Sequence, residues 1–94
     1  MELIINFFAT LRPITGGKIV ELDLPIGVTV REMLEMVFGR YPLLREKLMA
    51  ADGTLLPHVH VFINGRDVEY LPDDLETVIQ QTDKLDIFPA VGGG

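Results

Sequence analysis

Pro25-Ile26-Gly27-Val28-Thr29-Val30-Arg31-Glu32-Met33-Leu34-Glu35-Met36-Val37-Phe38-Gly39 carries the strongest local signal in this chain of 94 residues. Pro25-Ile26-Gly27 interrupts whatever regular structure precedes it. Thr29 and Glu32 then stand at the spacing of a capping box, in which each side chain satisfies the other residue's backbone N–H at a helix start. Val28 can staple against Met33. Val30, Met33, Leu34, Val37 and Phe38 recur at helical spacing and form one apolar stripe. Gly39 reads as the left-handed residue that closes the helix. The spacing predicts a helix over 30–38 with one face to bury.

Working outward, the segments on either side read as strands. Residues 2–9 are rich in Ile, Leu and Phe and apolar on both faces, as in a central strand. After a turn at Gly16-Gly17, Lys18 to Leu24 alternates, with Val20, Leu22 and Leu24 inward and Glu21 and Asp23 outward. That pattern fits an edge strand making a hairpin with the first. Beyond the helix, Pro42 opens a short helical segment, 42–49, that tucks Leu44 and Leu48 inward. Asp52-Gly53 is a turn, and 53–58 a loop. Val59 to Ile63 is a third strand, closed by the hairpin pair Asn64-Gly65, and Arg66 to Tyr70 folds back as a short strand. Residues 72–82 form a polar connection with one helical turn near Leu75, and Lys84 to Phe88 is the last strand. One main helix on one face of a mixed four- to five-stranded sheet, with the first and last strands central, is an α+β roll. The arrangement expected is the ubiquitin-like β-grasp, a single domain over 1–88 with a tail over 89–94.

Composition narrows the function classes. The net charge of −6 argues against a nucleic-acid or acidic-membrane partner. The run Leu3–Ala9 is too short to cross a bilayer, and no basic segment precedes it to make a signal peptide, so a cytoplasmic location is expected. With no Cys, disulfides, Cys-ligated zinc and a nucleophilic thiol are excluded.

Alternation along the strands identifies a second surface. Leu3, Ile5 and Phe7 share one face of the first strand, leaving Ile4, Asn6 and Phe8 on the other. Val59, Val61 and Ile63 oppose His60 and Phe62, and Leu85 and Ile87 oppose Asp86 and Phe88. A single helix covers one face only. Phe8, Phe62 and Phe88 should therefore gather on the uncovered face as a partner-binding patch, unless residues 40–58 fold over it as a second small core. Arg12, near Phe8, could anchor an acidic group of the partner. His58 and His60 lack a third ligand, so no metal site is expected, and they read as a solvated pair. Asp73, Asp74 and Glu76 read as a solvated loop.

Specific residues also look familiar. Asn6-Phe7-Phe8-Ala9-Thr10-Leu11-Arg12, Leu24 to Glu32, Arg40-Tyr41-Pro42, Val61 to Val68 and Ile87-Phe88-Pro89-Ala90-Val91-Gly92-Gly93-Gly94 resemble, in order and over essentially the whole chain, the MoaD/ThiS-like ubiquitin-related sulfur carriers, in particular the small subunit of molybdopterin synthase. One departure is Gln80-Gln81-Thr82, where that family usually has a Gly-containing turn. The resemblance implies that Gly94 is the reactive group. An E1-like (MoeB-like) adenylating enzyme would use ATP to convert its carboxylate to an adenylate, and a persulfide sulfur donor would convert that to a thiocarboxylate. The chain itself would bind no cofactor and hold no catalytic residue. As the small subunit it would donate sulfur to the molybdopterin synthase large subunit (MoaE-like) in molybdenum-cofactor synthesis.

Glycine suits such a tail because a backbone without Cβ threads narrow channels. Six residues after Phe88 reach roughly 20 Å when extended, enough for Gly92, Gly93 and Gly94 to enter another protein's active site. Pro89 and Val91, beside Phe88, would then touch the partner. Three alternatives remain open at this point: a ubiquitin-like modifier conjugated to lysines, a sulfur carrier for thiamine or tRNA thiolation, and an adaptor that uses only the phenylalanine face.

Overall fold

The structure, a computed structural model, describes residues 1–89. Its strands are β1 (Glu2–Phe7), β2 (Ile19–Asp23), β3 (His60–Ile63), β4 (Arg66–Asp67) and β5 (Leu85–Phe88), with helices α1 (Arg12–Thr15), α2 (Val30–Arg40) and α3 (Leu43–Leu48). The strands form one sheet in the order β2-β1-β5-β3-β4. β1 runs antiparallel to β2 and parallel to β5, and β3 is antiparallel to both β5 and β4. The first and last strands lie side by side at the centre, and β2 is an edge. This is the α+β β-grasp architecture that the element order predicts.

The capping box at the start of α2 is complete. The Glu32 N–H donates to Thr29 Oγ1 at 3.2 Å, and the Thr29 N–H donates to Glu32 Oε1 at 3.0 Å. All five residues of the expected stripe are buried. The far end differs from expectation, because Gly39 lies inside the helix, which continues to Arg40. Pro42 supplies the stop. The residue before a proline is pushed out of the helical region, and Tyr41 adopts φ −129°, ψ 79° while its N–H still donates to the Val37 carbonyl.

Leu3, Ile5, Phe7, Val61, Ile63, Leu85 and Ile87 are buried under α2 in a single cluster. Leu44 and Leu48 of α3 join that same cluster. Residues 40–58 thus thicken the covered side, and among the described residues no second core forms over the other face.

Three further local differences have physical causes. Between β1 and β2 the chain forms a 3-10 turn (Ala9–Leu11) and the single-turn α1, closed by Gly16 at φ +85°, where a simple turn was expected. The strand predicted over 66–70 stops at Asp67, whose carboxylate accepts the Glu69 N–H at 3.0 Å and turns the chain into a 3-10 helix. At Gln80–Asp83, where a glycine turn is usual in the family that the chain resembles, Asp83 closes the loop itself. Its N–H donates to the Gln80 carbonyl at 3.0 Å and its carboxylate accepts the Gln80 N–H at 2.7 Å. The Asn64-Gly65 hairpin turn forms as expected, with φ of +52° and +82°.

Candidate functional site

The register of the central strands builds the open face. Phe7 pairs with Ile87, so Phe8 and Phe88 emerge side by side, one residue further along. Their rings stack at 4.2 Å between centroids, 14° from parallel. Phe62 meets Phe88 edge-on at 5.3 Å and 86°. Both geometries are favoured by the ring quadrupole, at about 0.5–1.5 kcal/mol per pair. The three rings expected from strand parity therefore form one cluster, and all three stay half-exposed. Ile4 and Ile19, 51% and 55% exposed, extend the apolar surface toward β2. Two residues back along the same face, the Asn6 amide donates to Asp86 Oδ1 at 2.8 Å, which gives that carboxylate a partner within the sheet.

The cluster stands where β5 ends and the chain leaves the sheet. The Phe8 N–H donates to the Ile87 carbonyl at 3.2 Å, so β1 holds the strand up to its last residues. Pro89, expected to touch a partner, is buried and anchors the take-off point from within the domain. Val91, Gly92, Gly93 and Gly94 lie outside the described residues. Ala9, just after β1 (φ +52°), and His58, just before β3 (φ +68°), hold left-handed backbone.

Arg12 is exposed beside Phe8, as expected. Its Nε donates to the Phe7 carbonyl at 3.2 Å, and its guanidinium lies 5.8 Å from the centre of the Phe8 ring. Lys18, which sequence reasoning missed, brings its ammonium to 5.7 Å from the same ring. The hairpin closure places it there, through the Phe7 N–H to Lys18 carbonyl bond of 2.7 Å. The only signal available was its position just after Gly16-Gly17, which sets it opposite Phe7 once the strands pair. Among the described residues, neither cation has a carboxylate within ion-pair distance.

On the far side of the face, His58 and His60 do not act as a solvated pair. His58 precedes β3 and is exposed, whereas His60 Nδ1 sits 2.6 Å from Asp67 Oδ2. The Asp67 side chain is only 10% exposed. The reason is the β3–β4 hairpin, which pairs Phe62 with Asp67 and so sets Asp67 diagonally across from His60 on the same face. Asp73, Asp74 and Glu76 are exposed as expected, with Glu76 held by Arg31 Nε at 2.7 Å.

Among the described residues no group of three His, Asp or Glu side chains is placed to hold a metal ion. No helix among them is long and apolar enough to cross a membrane. Among the described residues, no nucleophile, base and orienting group converge on this face. It presents flat aromatic surface beside the root of the tail, which suits recognition by another protein.

A β-grasp sheet with one covered face, an aromatic open face and a terminal segment leaving from its centre defines the ubiquitin-like class of carriers and modifiers. The chain belongs to the ThiS family, whose model matches residues 5–94. It is 37% identical to small archaeal modifier protein 3 of Haloferax volcanii over 94 residues, all of both chains. It is 32% identical to the sulfur carrier protein CysO of Mycobacterium tuberculosis over 97 residues, again covering both chains completely. The crystal structure of SAMP1 from Haloferax volcanii superposes with a TM-score of 0.83 at 29% identity, over the whole of each chain.

Proposed function

We propose that this chain is a co-substrate whose Gly94 carboxylate is activated by an E1-like adenylating enzyme and then carries sulfur. The carboxylate attacks the α-phosphorus of ATP and releases pyrophosphate, leaving a glycyl-adenylate. A persulfide attacks the acyl carbon and displaces AMP, forming an acyl disulfide. A thiol then reduces that bond, leaving a thiocarboxylate on Gly94 while the thiol is oxidised to a disulfide. The chain has no Cys, so both the persulfide and the thiol come from partners, as does every catalytic group.

The observation that carries this reading is the aromatic cluster at the end of β5. A partner that grips Phe8, Phe62 and Phe88 also holds the root of the tail, and so aims Gly94. Use of the thiocarboxylate by a molybdopterin synthase large subunit is the destination supported by the motif resemblance. Sulfur delivery to thiamine or to tRNA belongs to the same chemistry. A second reading is favoured by the full-length identity to an archaeal modifier protein: the same adenylate is passed to a lysine amine as an isopeptide bond. Both readings place the chain in the cytoplasm with its ATP-using partner.

Intact-protein mass spectrometry of the chain isolated from its own cells separates these fates. A sulfur-for-oxygen mass increment identifies the carrier, and tail remnants on lysines of other proteins identify the modifier. Absence of both, with a harmless deletion of Gly93 and Gly94, would overturn the activated-tail reading and leave an adaptor.

A further inference from the structure

We infer that Pro89 is a positioning residue for the reacting carboxylate: it ends β5 between two strands that could each pair with a longer one, and so keeps the residues that lead to Gly94 out of the sheet. This rests on the activated-tail reading and adds the residue that sets how much tail the adenylating enzyme receives.

The hydrogen-bond pattern makes the argument. In a parallel ladder a residue donates its N–H to one residue of the neighbouring strand and accepts at its carbonyl from the residue two further on. The Phe8 N–H donates to the Ile87 carbonyl at 3.2 Å, so the next rung would run from the N–H of residue 89 to the Phe8 carbonyl. Proline has no N–H, and that rung is missing. The Phe8 carbonyl accepts instead from the Leu11 N–H at 3.2 Å, within the 3-10 turn that begins at Ala9. On the other side of β5, Phe88 stands opposite His60. The same register continued would set position 90 opposite His58, where the left-handed backbone at φ +68° breaks the strand. β1 is broken in the same way at Ala9, with φ +52°. Three neighbouring strands thus stop at nearly one level by separate local devices. Left-handed backbone in a residue with a Cβ is costly and persists only where its surroundings enforce it. Two such residues and a proline at the tail-exit end make a built stop rather than a fraying edge. Position 89 is buried, so an N–H introduced there would need a partner. The Phe8 carbonyl has a second lone pair and lies in register to accept it. A strand lengthened by two residues would draw about 7 Å of tail back into the sheet.

The test uses the E1-like adenylating enzyme of the same source, with pyrophosphate release read against carrier concentration. The unaltered chain is compared with P89A, which supplies the N–H, and with a synthetic full-length chain carrying N-methylalanine at position 89, which removes the N–H again without restoring the ring. Thermal denaturation checks that both fold. P89A should lower kcat about fivefold, the weight of about one net hydrogen bond, with KM unchanged because the aromatic face is intact. The N-methylalanine chain should recover the kcat, and hydrogen exchange on P89A should show the new amide protected. An unchanged kcat in P89A, an N-methylalanine chain as slow as P89A, or an unprotected new amide would overturn the assignment. A raised KM with kcat unchanged would make Pro89 a docking contact and overturn it as well. If the unaltered chain releases no pyrophosphate, the activated-tail reading fails, and protection of the new amide alone decides whether Pro89 ends the strand.

Discussion

The two faces of the same five strands carry opposite kinds of side chain. On the covered face, Ile5, Val61, Leu85 and Ile87 are fully buried under α2. On the open face, one residue further along each strand, Phe8, Phe62 and Phe88 are packed on each other yet half-exposed. The covered side chains are aliphatic and interchangeable in kind, as expected where burial is what matters. The open ones are large, aromatic and flanked by charges, as in the centre of a protein interface. On the proposed reading, stability and recognition are separated by a single residue of strand register, and substitutions on neighbouring residues should have different consequences.

The largest contrast is expected between Ile87 and Phe88. Ile87→Ala removes fully buried methyl groups from the centre of the sheet and should cost about 2–5 kcal/mol, seen as a large shift in the denaturant midpoint. Phe8→Asp with Phe88→Asp should leave a folded domain by circular dichroism yet abolish pyrophosphate release by the adenylating enzyme. A double variant that is activated normally would break the division between the faces. Next in size is Thr29→Ala, which removes one half of the capping box. It should cost about 0.5–2 kcal/mol without altering KM for the adenylating enzyme, because Thr29 belongs to the covered side.

The smallest effect concerns Asp52. The Thr54 hydroxyl at 2.6 Å, and after it the Thr54 N–H at 3.1 Å, hold its carboxyl below the usual carboxylate range. A group with a lowered folded-state pKa contributes stability above its unfolded pKa and loses it as the pH falls through the folded one. Asp52→Ala should therefore lower Tm slightly at neutral pH, with the two proteins converging in strong acid. A shift in partner affinity from this change would mean that the 50–55 loop belongs to the recognised surface after all.

Local periodicity made most of this legible from the sequence. Alternation alone placed Phe8, Phe62 and Phe88 together, because strand parity is fixed once one face is known to be covered. The capping box placed the start of α2 for the same reason, since both partners lie within four residues. What was not legible depends on distant residues. The end of α2 moved from Gly39 to Arg40 because Pro42 overrides the weaker glycine signal. His60 found Asp67, and Lys18 found Phe8, only through hairpin registers that bring separate segments together. The buried position of Pro89 depends on the packing around the end of β5, which no local pattern reports.

The central claim is that the tail is the substrate and the open face its address. The most direct measurement is ATP-dependent pyrophosphate release by the source's E1-like adenylating enzyme, on the unaltered chain and on one lacking Gly93 and Gly94. The account predicts release with the first and none with the second, while the shortened chain still competes with the first through its intact face. Equal release from both chains, or a shortened chain that fails to compete, would contradict it.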